Sequence, residues 1–400
     1  MSKKIVLAGG VIVIVVIGAA LSLRRSASGP TPTVSQPNAP ISSAGSSAAP
    51  TRAYIALEGE GVVEVIDTTN GAVISRLDLA VMLGADKVTY MPHNVQVAPD
   101  GKSVWVTANA MIESKHKEAV KRMDEEAMAE EGEEAKPDAP KDQVIVINPE
   151  TNSIAQRINL GQGLDLSHVV LTPDSSNAIV VAQEAGKIYI INAKTYAVEK
   201  TVKTAMGAAP HGIRISPDGD KAYVALLDAK GLGILDLDNF MLRDVPLEGR
   251  AMQTAVTPDG QYVLISIYDR KSVAVYNLKD YNVNYISLPS EAKGPVQLYS
   301  TPDSQFVYVA DQGYYFKQPA GTQVYKINIS ERSVVRSIAV GNGPHGVVIS
   351  KDGRRAYITN LLSGDISVID TASDKVVDTY PVGKKPNGIS LWSPETGGTP

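Results

Sequence analysis

Four of the chain's five histidines share one phase of a repeat. His93 in MPHN, His211 in APHG and His345 in GPHG each stand six residues before Pro99, Pro217 and Lys351, and His168 in LSHV stands five before Pro173. The same phase holds Met252 and Gln253, Val296 and Gln297, and Asn387 in other repeats. Neutral imidazoles suit copper, zinc, iron and nickel, provided an acceptor orients the second ring nitrogen. Two readings follow. His93, His168, His211 and His345 either converge on copper or another transition metal, or they form a polar ring of hydrogen bonds in which Asn387 substitutes for histidine.

Other chemistry is thinner. There is no cysteine, which removes disulfides, thiolate ligands, iron–sulfur clusters and covalently attached haem. No G-x-S-x-G, H-E-x-x-H or P-loop motif occurs. Glu58, Glu184, Asp228, Asp269 and Asp311 recur at the ends of strand-like runs, and paired acids there would suit a lactonase-like hydrolase. Their repetition reads first as solvated loop ends. A pI of 5.7 with no basic stripe argues against nucleic acid.

The elements that must position these residues are short strands. TPDG- or SPDG-like turns surround Asp100, Asp174, Asp218, Asp259, Asp303 and Asp352, each followed by a run such as KAYVALL or RAYITNL. A second marker, Asp67, Asn148, Asn192, Asp236, Asn277, Asn328 and Asp370, closes β-branched runs such as ISVID. A period of about 40–45 residues with four strands per unit is the pattern of a β-propeller. The second marker gives seven blades. Residues 53–79 supply only three strands, and PNGISLWSP (386–394) has the form of the missing first one. Pairing the two closes the ring and removes an open edge.

The blocks APHGIRISPDGDKAYVALL (209–227) and GPHGVVISKDGRRAYITNLLSGDISVIDTASDKVVDTYPVG (343–383) resemble the YVTN-type propellers, repeat proteins akin to surface-layer proteins and to the propeller domains of nitrous oxide reductase and haem-containing nitrite reductase. The similarity spans residues 52–395 and implies an all-β, seven-bladed ring. It also implies a precedent for copper held by histidines at a channel mouth. This chain offers four such histidines, no adjacent pair and no second copper domain.

Two segments interrupt the repeat. Residues 110–142 are rich in helix formers and acids, with eleven acids against six Lys/Arg from Glu113 to Asp142, and are expected to form a helical acidic insertion. Residues 311–323 place Tyr314, Tyr315 and Phe316 on a loop. Both lie between the second and third strands of a blade, which sets them on the face where the histidines begin their strands. Elaborated loops on a rigid scaffold are where binding resides.

The N-terminus adds a location. Ile5 to Leu23 carries no charge and is long enough to span a ~30 Å hydrocarbon layer. Lys3, Lys4, Arg24 and Arg25 flank it, and the arginines stand where a signal peptidase needs small neutral residues. Residues 1–25 are therefore expected to form an uncleaved membrane anchor, with a signal peptide as the alternative. Residues 26–51, which carry no charge and are rich in Ser, Thr, Ala and Pro, form an extended linker. The propeller fills 52–395, followed by a tail at 396–400.

The sequence reads as a membrane-tethered, extracytoplasmic binding or scaffold propeller rather than an enzyme. Its binding face comprises Asn94, Met252, Gln253, Gln297, Tyr314, Tyr315, Phe316 and Asn387, and its partner is a protein or surface polymer. The alternatives are a metal- or cofactor-binding redox propeller and, third, the lactonase-like hydrolase.

Overall fold

The computed structural model describes residues 51–112, 139–394 and 397–398. The expected anchor (1–25), the linker up to residue 50 and most of the expected insertion lie outside the described residues. Among the described residues no helix is long and apolar enough to cross a membrane.

Seven antiparallel sheets form the ring. Six are built from consecutive strands. The first blade runs Val73–Asp78, Val62–Asp67, Arg52–Leu57, and is completed by Pro386–Ser393 from the other end of the chain. Arg52 lies opposite Trp392 and Ile55 opposite Ile389, so the expected closure is present. A short strand, Gly397–Gly398, adds to the inner side of that sheet.

The two turn markers have a common cause. In the PDG-type turns a carboxylate oxygen accepts the N–H two residues on, at 3.0–3.1 Å in all six cases. At the second marker, after the third strand of each blade, the side-chain oxygens of Asp67, Asn148, Asn192, Asp236 and Asn277 also accept the N–H two residues on, and those of Asn328 and Asp370 the N–H three residues on. These Asx turns supply backbone partners where the ladder ends. The residue after the PDG-type Asp is often left-handed: Gly101, Gly219, Gly260 and Gly353 have φ of 71°, 85°, 67° and 71°, and Ser175 and Ser304 take the same conformation.

Each blade lies between two others, so its inner three strands are buried on both sides and read as continuous apolar runs. Tyr54, Ala56, Val63 and Val65 pack toward the second blade, whereas Ala53, Ile55, Leu57 and Ile66 pack toward the seventh. Seven apolar slabs, one between each pair of neighbours, make up the core. Outermost strands such as Val198–Lys203 face solvent over most of their length.

Two expectations need correction. Ala110–Ile112 are not helical; they continue the strand Val104–Ile112 and pair with Tyr90, Thr89 and Val88. Asp142 likewise opens the strand Asp142–Asn148. The reason is that the partner strand, Asp86–Val97, runs well beyond the blade and bonds in turn to Val81–Leu83, offering the extra residues a ladder. Of the expected insertion, only 113–138 remains outside the described residues. The aromatic loop, for its part, contains one 3-10 turn, Tyr314–Phe316.

Candidate functional site

All seven innermost strands carry a β-bulge at one place. Pairing jumps between Pro92 and Val95, Leu166 and Val169, Pro210 and Ile213, Ala251 and Thr254, Pro295 and Leu298, Pro344 and Val347, and Pro386 and Ile389, with two residues on the inner strand advancing against one on its partner. A bulge bends its strand and re-aims the side chains on it. The bulged pairs are His93–Asn94, Ser167–His168, His211–Gly212, Met252–Gln253, Val296–Gln297, His345–Gly346 and Asn387–Gly388. The repeat phase that collects the histidines is therefore the phase of the bulge. Glycine is needed beside His211, because a Cβ on Gly212 would lie 1.9 Å from the Gln253 side-chain oxygen.

The four imidazoles meet. His93 lies edge-on to His168, His211 and His345, with ring centroids 5.8, 5.7 and 6.3 Å away, and His168 and His211 are 5.2 Å apart. One ring nitrogen from each of His93, His168 and His211 falls within 4.8 Å of the others. His345 stands beside His93 but outside this group of three.

Their outward nitrogens are held by the ring. His211 Nδ1 donates to the Met252 carbonyl at 2.9 Å, leaving Nε2 as a lone pair. The side-chain amide of Gln312 lies 2.7 Å from His345 Nδ1, that of Asn387 3.2 Å from His93 Nδ1, and that of Gln253 3.5 Å from His168 Nδ1. Nε2 of His93, His168 and His345 is buried with no partner among the described residues. A buried polar atom without a partner is costly, and three beside one another mark a place shaped for something else.

Burial keeps the His168, His211 and His345 rings neutral. Desolvation, reinforced by the neighbouring imidazole of His93, pushes His211 down to about 3. His168 is pushed well below the usual range by burial, then by His211 and His93, and His345 by burial, then by His93 and His211. Neutral imidazole is the ligand form.

A carboxylate network flanks the cluster. Glu58 Oε2 accepts from the Tyr315 hydroxyl at 2.8 Å and from the Asn387 side-chain amide at 2.6 Å, and lies 3.9 Å from His93 Nδ1. The Tyr315 ring is edge-on to His345, centroids 5.6 Å apart. The aromatic loop thus reaches across to the histidines. Burial, then Glu58, pushes the Tyr315 hydroxyl upward and keeps it protonated.

The residues assigned to a binding face divide. Tyr314 and Tyr315 are exposed, at 42% and 38%, whereas Phe316 stacks on Tyr268 with centroids 3.7 Å apart. Asn94, Met252, Gln253, Gln297 and Asn387 are buried, and Met252, Gln253 and Asn387 contact the histidines through a carbonyl or side-chain amide. Asn94 accepts from the Val169 N–H of the next blade at 3.2 Å. Among the acids, Asp228 pairs with Arg250 and Asp269 accepts the Arg250 N–H at 2.8 Å. Asp311 is no solvated loop end. It is buried and accepts backbone N–H groups of Lys293 and Gly294 at 2.8 and 2.6 Å, pinning the aromatic loop. Sequence reasoning missed Glu58 and Gln312 as partners of the histidines, because neither occupies the bulge phase.

The family model described as YNCE-like beta-propeller matches residues 138–310 and 316–395. No curated protein matches the chain. Similar solved structures include virginiamycin B lyase from Staphylococcus aureus, with 15% identity over 77% of this chain and 93% of that one and a TM-score of 0.58. Hydrazine synthase from Kuenenia stuttgartiensis is 16% identical, covering 76% of this chain and 92% of that one, with a TM-score of 0.59. A protein of unknown function from Desulfotomaculum acetoxidans is 15% identical, covering 85% and 98%, with a TM-score of 0.63. At such identities the likeness is one of fold.

Proposed function

This chain belongs to the YNCE-like beta-propeller family, and from that premise we propose a membrane-tethered, extracytoplasmic binding propeller whose loop-elaborated face centres on a transition-metal site. The ligands are His93, His168 and His211, from three consecutive blades. The observation that carries this reading is their convergence, one nitrogen each within 4.8 Å, where a ring of purely structural histidines would point into separate pockets. A tetrahedral zinc site, with nitrogens about 2.0–2.1 Å from the ion, needs them roughly 3.3 Å apart. Side-chain rotation closes that gap. His211 already has its Nδ1 proton on a carbonyl, the arrangement that frees Nε2 for a metal. His93 and His168 must shift their protons to Nδ1, with Glu58 the acceptor nearest His93.

The same face favours a protein partner. Met82, Leu83, Met206, Tyr314, Tyr315 and Leu362 are exposed apolar side chains on its loops and connections. A face that holds a metal and displays such residues suits a propeller that docks on another macromolecule.

The test is titration of the metal-free full-length protein with Cu(II) and Zn(II), following melting temperature and bound metal. Wild type is expected to bind one equivalent and melt higher, because the ion prefers the folded state. The His93→Asn/His211→Asn variant should retain no stoichiometric metal. Failure of the wild type to bind either ion, or equal binding by the double variant, sinks the reading.

A further inference from the structure

One cavity among the described residues lies away from the histidines. It occupies about 420 Å³ and opens on the opposite face, ringed by the PDG-type turns through Pro99, Pro173, Pro217 and Pro258. Its walls come from the far ends of the innermost strands, including Leu171, Ile215 and Tyr299. That face looks plain in sequence because its loops are short. Its centre is not plain.

Arg214 projects from the fourth blade into this space. Its Nη1 donates to the Ile213 carbonyl at 2.9 Å, and the guanidinium lies 5.9 Å from the centroid of the Tyr299 ring. No carboxylate pairs with it among the described residues, and none lines the cavity. The one charged group that joins it there, Lys351 of the seventh blade, is also a cation. Ser300 lines the cavity too, and its buried hydroxyl has no partner among the described residues. A guanidinium stays charged, and Arg214 is half-buried against apolar walls with no counter-ion among the described residues, which is costly. An anion entering the cavity relieves that cost.

We propose that this channel mouth is a binding site for a small organic carboxylate with an apolar body, its carboxylate gripped by the Arg214 guanidinium and its body lying on the proline, Leu171 and Ile215 walls. Two features narrow the class. The planar guanidinium presents paired N–H donors that match a carboxylate two-to-two. The apolar walls reward an aromatic or aliphatic body and penalise a compact dianion such as sulfate, which they cannot solvate. The site is separate from the histidine cluster and stands whether or not that cluster takes a metal.

Calorimetric titration of the full-length protein with 2-naphthoate, 2-naphthamide and inorganic sulfate tests this. Naphthoate is expected to bind saturably with one site, at least tenfold more tightly than the neutral amide, and to raise the melting temperature, with sulfate binding weakly. Arg214→Gln should lower naphthoate affinity at least tenfold and leave amide binding unchanged. Arg214→Lys should recover only part of the loss, since it restores charge without the fork. No saturable naphthoate binding by the wild type, or equal affinity for the amide and the acid, overturns the proposal without reliance on any variant. Tighter binding of sulfate than of naphthoate overturns the apolar-body assignment.

Discussion

His211 is the residue on which local chemistry turns. Its Nδ1 proton is committed to the Met252 carbonyl, and burial holds its acidity at about 3 in the folded chain. An unfolded histidine titrates near 6.5. As pH falls below about 6.5 the unfolded chain takes up a proton that folded His211 refuses, so its contribution to stability is present above 6.5 and is lost on the way down toward 3. His168 and His345 shift in the same direction. Denaturant unfolding of metal-free protein at pH 7.5, 6.0 and 5.0 should therefore show stability falling with acidification. His211→Asn should remove part of that slope, up to about 1.4 kcal/mol per pH unit for one such group. Its cost at pH 7.5 should stay near 1 kcal/mol, the value of one neutral hydrogen bond. Parallel pH profiles for the two proteins would show that His211 takes up its proton while folded.

At the scale of the element, the second blade is the informative one. Its second and third strands pair from Val104 with Ile147 to Ala108 with Gln143, and every partner in that ladder lies outside 113–138. Asp142 adds a tie of its own, accepting the N–H groups of Ala110 and Leu164 at 2.8 and 2.7 Å. Replacing 113–138 by a short Gly/Ser linker should therefore leave the melting temperature within a few degrees and the solubility and oligomeric state unchanged. Circular dichroism melts with size-exclusion chromatography would check this. A loss of 10 °C or more would mean that the segment packs onto the ring as part of its core. The sequence reading extended the insertion into the strands at Ala110–Ile112 and Asp142. Helix propensity is a local preference, and the unpaired length of Asp86–Val97 outbids it for Ala110–Ile112.

For the whole molecule, closure is the point of cooperativity. The strand Pro386–Ser393 hydrogen-bonds to Arg52–Leu57 and packs between the seventh and second blades, with Trp392 donating to the Gly101 carbonyl at 2.8 Å and stacking under Arg52. Truncation after Lys385 should strip the first blade of its inner strand, expose an open sheet edge and leave a chain that aggregates or melts far below wild type. A truncated protein that stays monomeric and melts cooperatively at the wild-type temperature would refute closure as the source of stability.

The sequence alone determined the fold, because a propeller is written locally. Each Asx turn is made within a few residues of its Asp or Asn, each buried strand announces itself as an apolar run, and the count of the turns that follow the third strands yields seven blades. It also collected the four histidines, since the bulge that aims them recurs at a fixed distance from each turn. What it left open was whether they face one another. That depends on the curvature that brings the first, second, third, fourth, sixth and seventh blades round one axis, so that Glu58, Gln312 and Asn387 become neighbours of rings far away in the chain. The opposite mouth was decided by tertiary structure altogether. Gln96, Val170, Arg214, Ala255 and Tyr299 stand at one repeat phase but share no chemistry, and only closure of the ring turns them into the wall of a single cavity whose charged lining residues, Arg214 and Lys351, are both cations.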